Sequence, residues 1–144
     1  MLFRSENGNR EAQYNLGIYH LTGLGVPKDF LLAERWLRRA ADSNLPDAFT
    51  TLGVMHERGL GVAQDLDQAI KLYRTGAEKG SAIGMLNLAT VHMNGTGVPK
   101  DEKEAVRWYR KAADAGLPDA QYSLALLSYN GVVVAKDEIG RAHV

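Results

Sequence analysis

The sequence predicts an all-α protein: an α/α solenoid, a right-handed superhelix of 36-residue helix-turn-helix units. Three observations predict it. The first is a set of columns that recur at a step of 36 residues: Leu16, Leu52, Leu88 and Leu124; Gly23, Gly59, Gly95 and Gly131; Val26, Val62, Val98 and Val134; Asp29, Asp65, Asp101 and Asp137; and Ala41, Ala77 and Ala113. The second is helical spacing of apolar residues inside each unit. The third is punctuation by glycine, proline and aspartate at every boundary. The stretch from Gly84 to Pro118 is the clearest copy.

After a tail of residues 1–8, the units run 9–46, 47–82 and 83–118, and a partial fourth, helix A and turn, covers 119–137. In helix A of the first unit, Ala12, Leu16, Tyr19 and His20 share one face at i, i+4, i+7 and i+8. Helix B repeats the spacing with Ala33, Trp36, Leu37, Ala40 and Ala41, and in the third unit with Ala105, Trp108, Tyr109, Ala112 and Ala113. Alanines let helix axes approach, and the large residue fills the remaining gap. Between the helices stands G-x-G-V, at Gly23 to Val26, Gly59 to Val62 and Gly95 to Val98. Its glycines suit positive φ, and its valine is expected to dock on the core.

Pro27 and Pro99 lead the chain, extended, into Asp29 and Asp101, which are expected N-caps of helix B. Asp65 with Gln68, and Asp101 with Glu104, have capping-box spacing. Helix B is expected to end at Asn44, Gly80 or Gly116 in a left-handed cap. Pro46 and Pro118 fit the first turn of the next helix A. The fourth unit has Val132-Val133-Val134 where the glycine turn should continue, and no helix B follows. That predicts an exposed apolar face at Leu124 and Leu127.

The two ends fall outside the repeat. Leu2-Phe3-Arg4-Ser5 back-translates to CTCTTCCGATCT, whose reverse complement, AGATCGGAAGAG, read in another frame supplies Ile139-Gly140-Arg141 and the first base of Ala142. Residues 1–5 and 138–144 therefore read as translated sequencing adapter around an internal fragment, which the coding DNA across both ends would decide.

Composition narrows the partners. Seventeen basic and 17 acidic residues give zero formal charge, so no basic footprint points to nucleic acid or an anionic membrane. No apolar run approaches the ~20 residues of a membrane span. Without Cys there is no disulfide or thiolate metal site, and the compartment stays open.

The strings A-Q-Y-N-L-G (Ala12 to Gly17), G-x-G-V-P-K-D, and W-Y-R-K-A-A-D-A-G (Trp108 to Gly116) resemble the Sel-1-like repeat family over residues 9–137. That family is related to tetratricopeptide repeats. The resemblance implies an adaptor or scaffold that binds other proteins, often in bacterial signalling, envelope or secretion settings, and no catalytic residues. The sequence departs from the family at His20, His56, His92 and Ser128, where Tyr is usual, and lacks the cysteines of relatives linked to β-lactam binding.

Several motifs invite sharper readings. The three histidines cannot share one ion, because helices pack ~8–10 Å apart and zinc needs nitrogens at ~2.0–2.1 Å. They are read as packed, hydrogen-bonded rings, and no metal is expected. The glycine turns lack G-x-x-x-x-G-K-[ST] and a third dinucleotide glycine, so no nucleotide or other cofactor is expected. Polar residues recur as columns rather than converging, so no enzyme is expected; the one break, Glu57-Arg58, is read as solvated. Arg35, Arg38, Arg39, Lys71, Arg74, Arg107, Arg110 and Lys111 form a basic row on helix B, read as a solvated face complementing helix dipoles.

The remaining surface is the side of helix A turned from Leu16. There the ~100° step aligns Asn15 and Thr22, Thr51 and Arg58, Asn87 and Asn94, and Ser123 and Asn130 into a polar ladder. Asn amides can pair both backbone groups of a peptide, and Tyr14, Met93, Tyr122 and Tyr129 could anchor it. The expected function is a non-catalytic scaffold binding a protein or peptide along the concave face. The alternative is a recognition or regulatory module of a larger bacterial protein.

Overall fold

A computed structural model describes residues 6–131, with side chains from Asn9 onward. Val134, Asp137 and the adapter reading of residues 1–5 and 138–144 lie outside the described residues. Among the described residues seven helices follow one another: α1 (Glu6–Thr22), α2 (Phe30–Asp42), α3 (Pro46–Arg58), α4 (Leu66–Glu78), α5 (Ala82–Asn94), α6 (Glu102–Asp114) and α7 (Pro118–Tyr129). They pair as α1/α2, α3/α4 and α5/α6, each second helix packs on the next first helix, and α3 also touches α5. The fold is an all-α solenoid.

Local chemistry sets the boundaries. Asp29, Asp65 and Asp101 cap α2, α4 and α6, accepting from the backbone N–H of Leu32, Gln68 and Glu104 at 3.1, 3.0 and 3.0 Å. Asn44, Gly80 and Gly116 take positive φ of 63°, 110° and 91° after the second helices. Pro46 and Pro118 open α3 and α7.

The expected capping boxes form only by half. The N–H groups of Asp29, Asp65 and Asp101 donate instead to the carbonyls of His20, His56 and His92 at 2.8, 2.9 and 2.9 Å. The glycine turn folds each cap against the last turn of the preceding helix, so its amide is already satisfied when Gln68 or Glu104 could reach it. Glu104 accepts from Trp108 Nε1 at 3.0 Å and pairs with Arg107.

The histidine rings also depart from expectation. Nδ1 of His20, His56 and His92 is buried with no hydrogen-bond partner among the described residues. The residue bonds through its main chain, and only Nε2 of His92 approaches another polar group, Arg74 at 3.5 Å.

The turns interlock the units. A Cβ on Gly61, at φ 70°, would lie 2.5 Å from Cβ of Phe30; one on Gly97, at φ 76°, would lie 2.8 Å from Cδ2 of Leu66. Each turn thus rests on the second helix of the preceding unit. Two core clusters result, one around Leu37, Leu52 and Met55 and one around Tyr73, Leu88, Trp108 and Tyr109. Val62 and Val98 dock on them. Trp36 is only half-buried, with the Arg39 guanidinium 5.1 Å from its ring. Tyr19 is 43% exposed although Met55 and Val91 in its column are buried, because α1 leans chiefly on α2. Leu124 and Leu127 are not the exposed face expected: both pack on the second cluster, and Tyr122, Leu126 and Tyr129 are the large hydrophobic residues that α7 exposes.

The turn packing predicts a contrast within one column. A Cβ on Gly25, at φ 78°, meets nothing within 4 Å. Gly25→Ala should therefore cost only the left-handed backbone, about 1–2 kcal/mol. Gly61→Ala should cost a further ~1–3 kcal/mol through collision with Phe30. Urea unfolding of the two variants checks this, and equal losses would mean the turn does not lock onto α2.

Candidate functional site

The eight ladder residues split into two chemical groups. Thr22 Oγ1 donates to the Ile18 carbonyl at 2.8 Å, Thr51 Oγ1 to Asp47 at 3.0 Å and Ser123 Oγ to Asp119 at 2.9 Å. These hydroxyls are taken up by their own helices, as mid-helix Thr and Ser commonly are. Thr51 Oγ1 also lies 3.3 Å from the Tyr14 hydroxyl, tying α1 to α3. The amides of Asn15, Asn87, Asn94 and Asn130 and the guanidinium of Arg58 have no hydrogen-bond or ion-pair partner among the described residues.

Arg58, Asn87 and Ser123 come together in a groove of about 420 Å³ formed by α3, α4, α5 and α7. Val54, Glu57, Tyr73, Leu86, Thr90, Asp119 and Tyr122 complete its lining. Asn15, Thr22, Thr51, Asn94 and Asn130 are not part of it. Of the expected aromatic and thioether anchors, Tyr122 lines the groove at 69% exposure, whereas Met93 packs on the core.

The expectation that Glu57 and Arg58 are both solvated holds for Arg58 alone, which is exposed. Glu57 Oε1 accepts from the Tyr73 hydroxyl at 3.0 Å, and its main-chain carbonyl accepts from Gln64 Nε2 at 2.9 Å. Adjacent residues on a helix point ~100° apart, so Glu57 turns toward α4 while Arg58 stays in the open. Burial, reinforced by the Glu57 carboxylate, pushes the Tyr73 hydroxyl well above its ordinary pKa of 10.0. The phenol therefore serves as a neutral donor on the groove floor.

The basic row is largely satisfied within its own helices. Arg38 pairs with Glu34 at 2.5 Å and Arg107 with Glu104 at 2.9 Å, while Arg39 and Lys111 lie over the Trp36 and Trp108 rings at 5.1 and 4.6 Å. Among the described residues, no group of three His, Cys, Asp or Glu could hold a metal, and no helix is long and apolar enough to cross a membrane.

One feature that shapes the groove escaped the sequence reading. Thr50 Oγ1 donates to Ser81 Oγ at 2.9 Å, Ser81 Oγ donates to Asp47 Oδ1 at 2.8 Å, and the Gly84 N–H donates to Ser81 Oγ at 3.0 Å. A Cβ on Gly76 or Gly84 would come within 2.5 or 2.6 Å of Thr50 Oγ1. This buried cluster fixes α5 against α3 and so sets Asn87 relative to Arg58. The signal lay in the columns: Thr50, Gly76, Ser81 and Gly84 stand where the neighbouring units have Tyr14 and Leu86, Ala40 and Ala112, Leu45 and Leu117, and Ala48 and Ala120.

The family model described as the Sel1 repeat matches residues 10–45, 52–81, 82–117 and 118–142. Among solved structures, a Sel1 repeat protein from Oxalobacter formigenes is similar at 36% identity and a TM-score of 0.75, over 82% of this chain and 48% of that one. The chain thus spans about half the length of that relative. Cysteine-rich protein B of Helicobacter pylori is similar at 26% identity and a TM-score of 0.69, over 82% of this chain and 90% of that one. Among functionally curated proteins, none matches the sequence.

The Tyr73–Glu57 contact predicts a pH dependence. With its folded pKa raised, Tyr73 keeps its proton in the native state after the unfolded chain begins to lose it near 10.0. Its stability contribution is full below that value and should fall by up to ~1.4 kcal/mol per pH unit as pH rises above it. Tyr73→Phe should flatten this slope in urea melts between pH 9 and 11. An unchanged slope would contradict the contact.

Proposed function

The chain belongs to the Sel1 repeat family, and on that premise we propose that its concave face takes up an extended segment of a partner protein without chemical turnover. Sel1 repeat proteins generally serve as protein–protein interaction scaffolds. The observation that carries the finer reading is the groove, to which Arg58, Asn87 and Ser123 contribute one residue from each of three successive units. Asn87 is the natural clamp, because its amide offers donors and an acceptor that no described residue occupies. By repeat position and helical spacing, Asn15, Asn94 and Asn130 would continue the ladder beyond the groove. The non-catalytic assignment rests on the family and on the absence of a convergent nucleophile and base among the groove residues.

A second reading keeps the groove but makes it the recognition module of a larger bacterial protein. The 48% coverage of the Oxalobacter formigenes protein favours it.

The clamp is testable with peptides selected from a phage-displayed library on the immobilised protein. Asn87→Ala should weaken the selected peptides about tenfold, the equivalent of one or two hydrogen bonds, at unchanged melting temperature. Retained affinity, or a melting loss without an affinity loss beyond it, would mean that Asn87 ties helices together rather than clamping a ligand.

A further inference from the structure

The groove carries charge at two separate places. Arg58, the last residue of α3, is the sole charged member of the polar ladder, and its guanidinium has no ion-pair partner among the described residues. Asp119, in the first turn of α7, lines the same groove with a carboxylate that forms no hydrogen bond or ion pair among the described residues. An acidic residue in a first turn complements the helix dipole, which is the structural explanation for aspartate at this place. The same column shows a different use two units earlier, where Asp47 accepts from Ser81 at 2.8 Å and is part of a buried cluster. Asp119 has no such task. Glu57, the other groove carboxylate, is engaged by the Tyr73 hydroxyl.

Eleven residues of helical rise separate the two positions along the repeat, about 16 Å, and two helix-to-helix steps of ~8–10 Å separate them across it. Long side chains shorten the diagonal, leaving roughly 20 Å between a positive and a negative end. An extended chain covers that distance in about six residues. The Tyr122 ring, 69% exposed, stands one helical turn from Asp119 on α7 and offers an apolar surface at that end of the path.

We propose that this groove selects a dipolar peptide: an extended segment with a carboxylate side chain at Arg58, a basic side chain about six residues away at Asp119, and an apolar or aromatic residue over Tyr122. The inference rests on the reading of the groove as a peptide site and adds the charge pattern that fills it. A guanidinium recognises a carboxylate by paired hydrogen bonds, so Arg58 sets one end firmly, and Asp119 sets the orientation of the segment. A uniformly acidic or basic segment would match one end and be repelled at the other.

The test uses the full chain and four sets of capped, fluorescently labelled octapeptides sharing a Tyr two positions before the second end residue and a neutral filler, with end residues Glu/Arg, Glu/Glu, Arg/Arg or Gln/Gln spaced six apart. Anisotropy at low salt should show the Glu/Arg set bound at least fivefold tighter than the other three. Arg58→Glu makes both ends acidic and should transfer the preference to the Arg/Arg set; Asp119→Lys should transfer it to the Glu/Glu set. Both residues are exposed, and melting temperature confirms that each variant is folded. Binding of all four sets with equal affinity would overturn the dipolar proposal while leaving a peptide groove in place. Binding of none, with Asn87→Ala without effect on library-selected peptides, would overturn both. A preference that does not move with Arg58→Glu and Asp119→Lys would show that the charges act elsewhere.

Discussion

One hydrogen bond, made three times, holds the array in register. The N–H of the aspartate capping each second helix donates to the carbonyl of the histidine in the last turn of the first, at 2.8 to 2.9 Å in all three units. It closes the glycine turn and fixes the angle between paired helices. It also brings the turn against the preceding unit, where Gly61 meets Phe30 and Gly97 meets Leu66. A solenoid has no long-range core to correct local errors, since each unit touches only its neighbours. Constant turn geometry is therefore what makes successive first helices line up, and that alignment lets Arg58, Asn87 and Ser123 share one groove.

The array is not uniform along its length. At the junction of the second and third units, apolar columns give way to Thr50, Gly76, Ser81 and Gly84, which replace side-chain packing with a close approach and a buried hydrogen-bond cluster. Every polar atom of Thr50 and Ser81 in that cluster is satisfied, so the burial costs little. The cluster ties α3 to the start of α5, and both helices line the groove. Specific shape in a repeat protein arises from such local departures as much as from the repeat itself.

The helix boundaries were legible in the sequence because they are local: an aspartate cap, a positive-φ glycine and a first-turn proline each act within a few residues of themselves. The site was legible only in part. Periodicity places Thr51, Ser123 and Asn87 on one face, but cannot say that the hydroxyls bond their own helices while the amide stays free. Likewise, the adjacency of Glu57 and Arg58 suggested a solvated pair, whereas the outcome depended on a tyrosine sixteen residues away. The histidine column was visible, but not that its main chain, rather than its ring, does the bonding. The Thr50 cluster needed three helices in place, although a comparison of columns would have marked its residues as exceptions.

The proposed binding surface is the face built by the first helices, not the basic face of the second helices. Side-chain NMR of the ¹⁵N-labelled protein tests it most directly, following the Asn87 amide and Arg58 Nε while a library-selected peptide is titrated in. These two signals should shift together and saturate, with Arg38 and Arg107, held in ion pairs on α2 and α6, left unmoved. Saturating shifts at Arg38 and Arg107 with Asn87 silent would place the partner on the opposite face and contradict it.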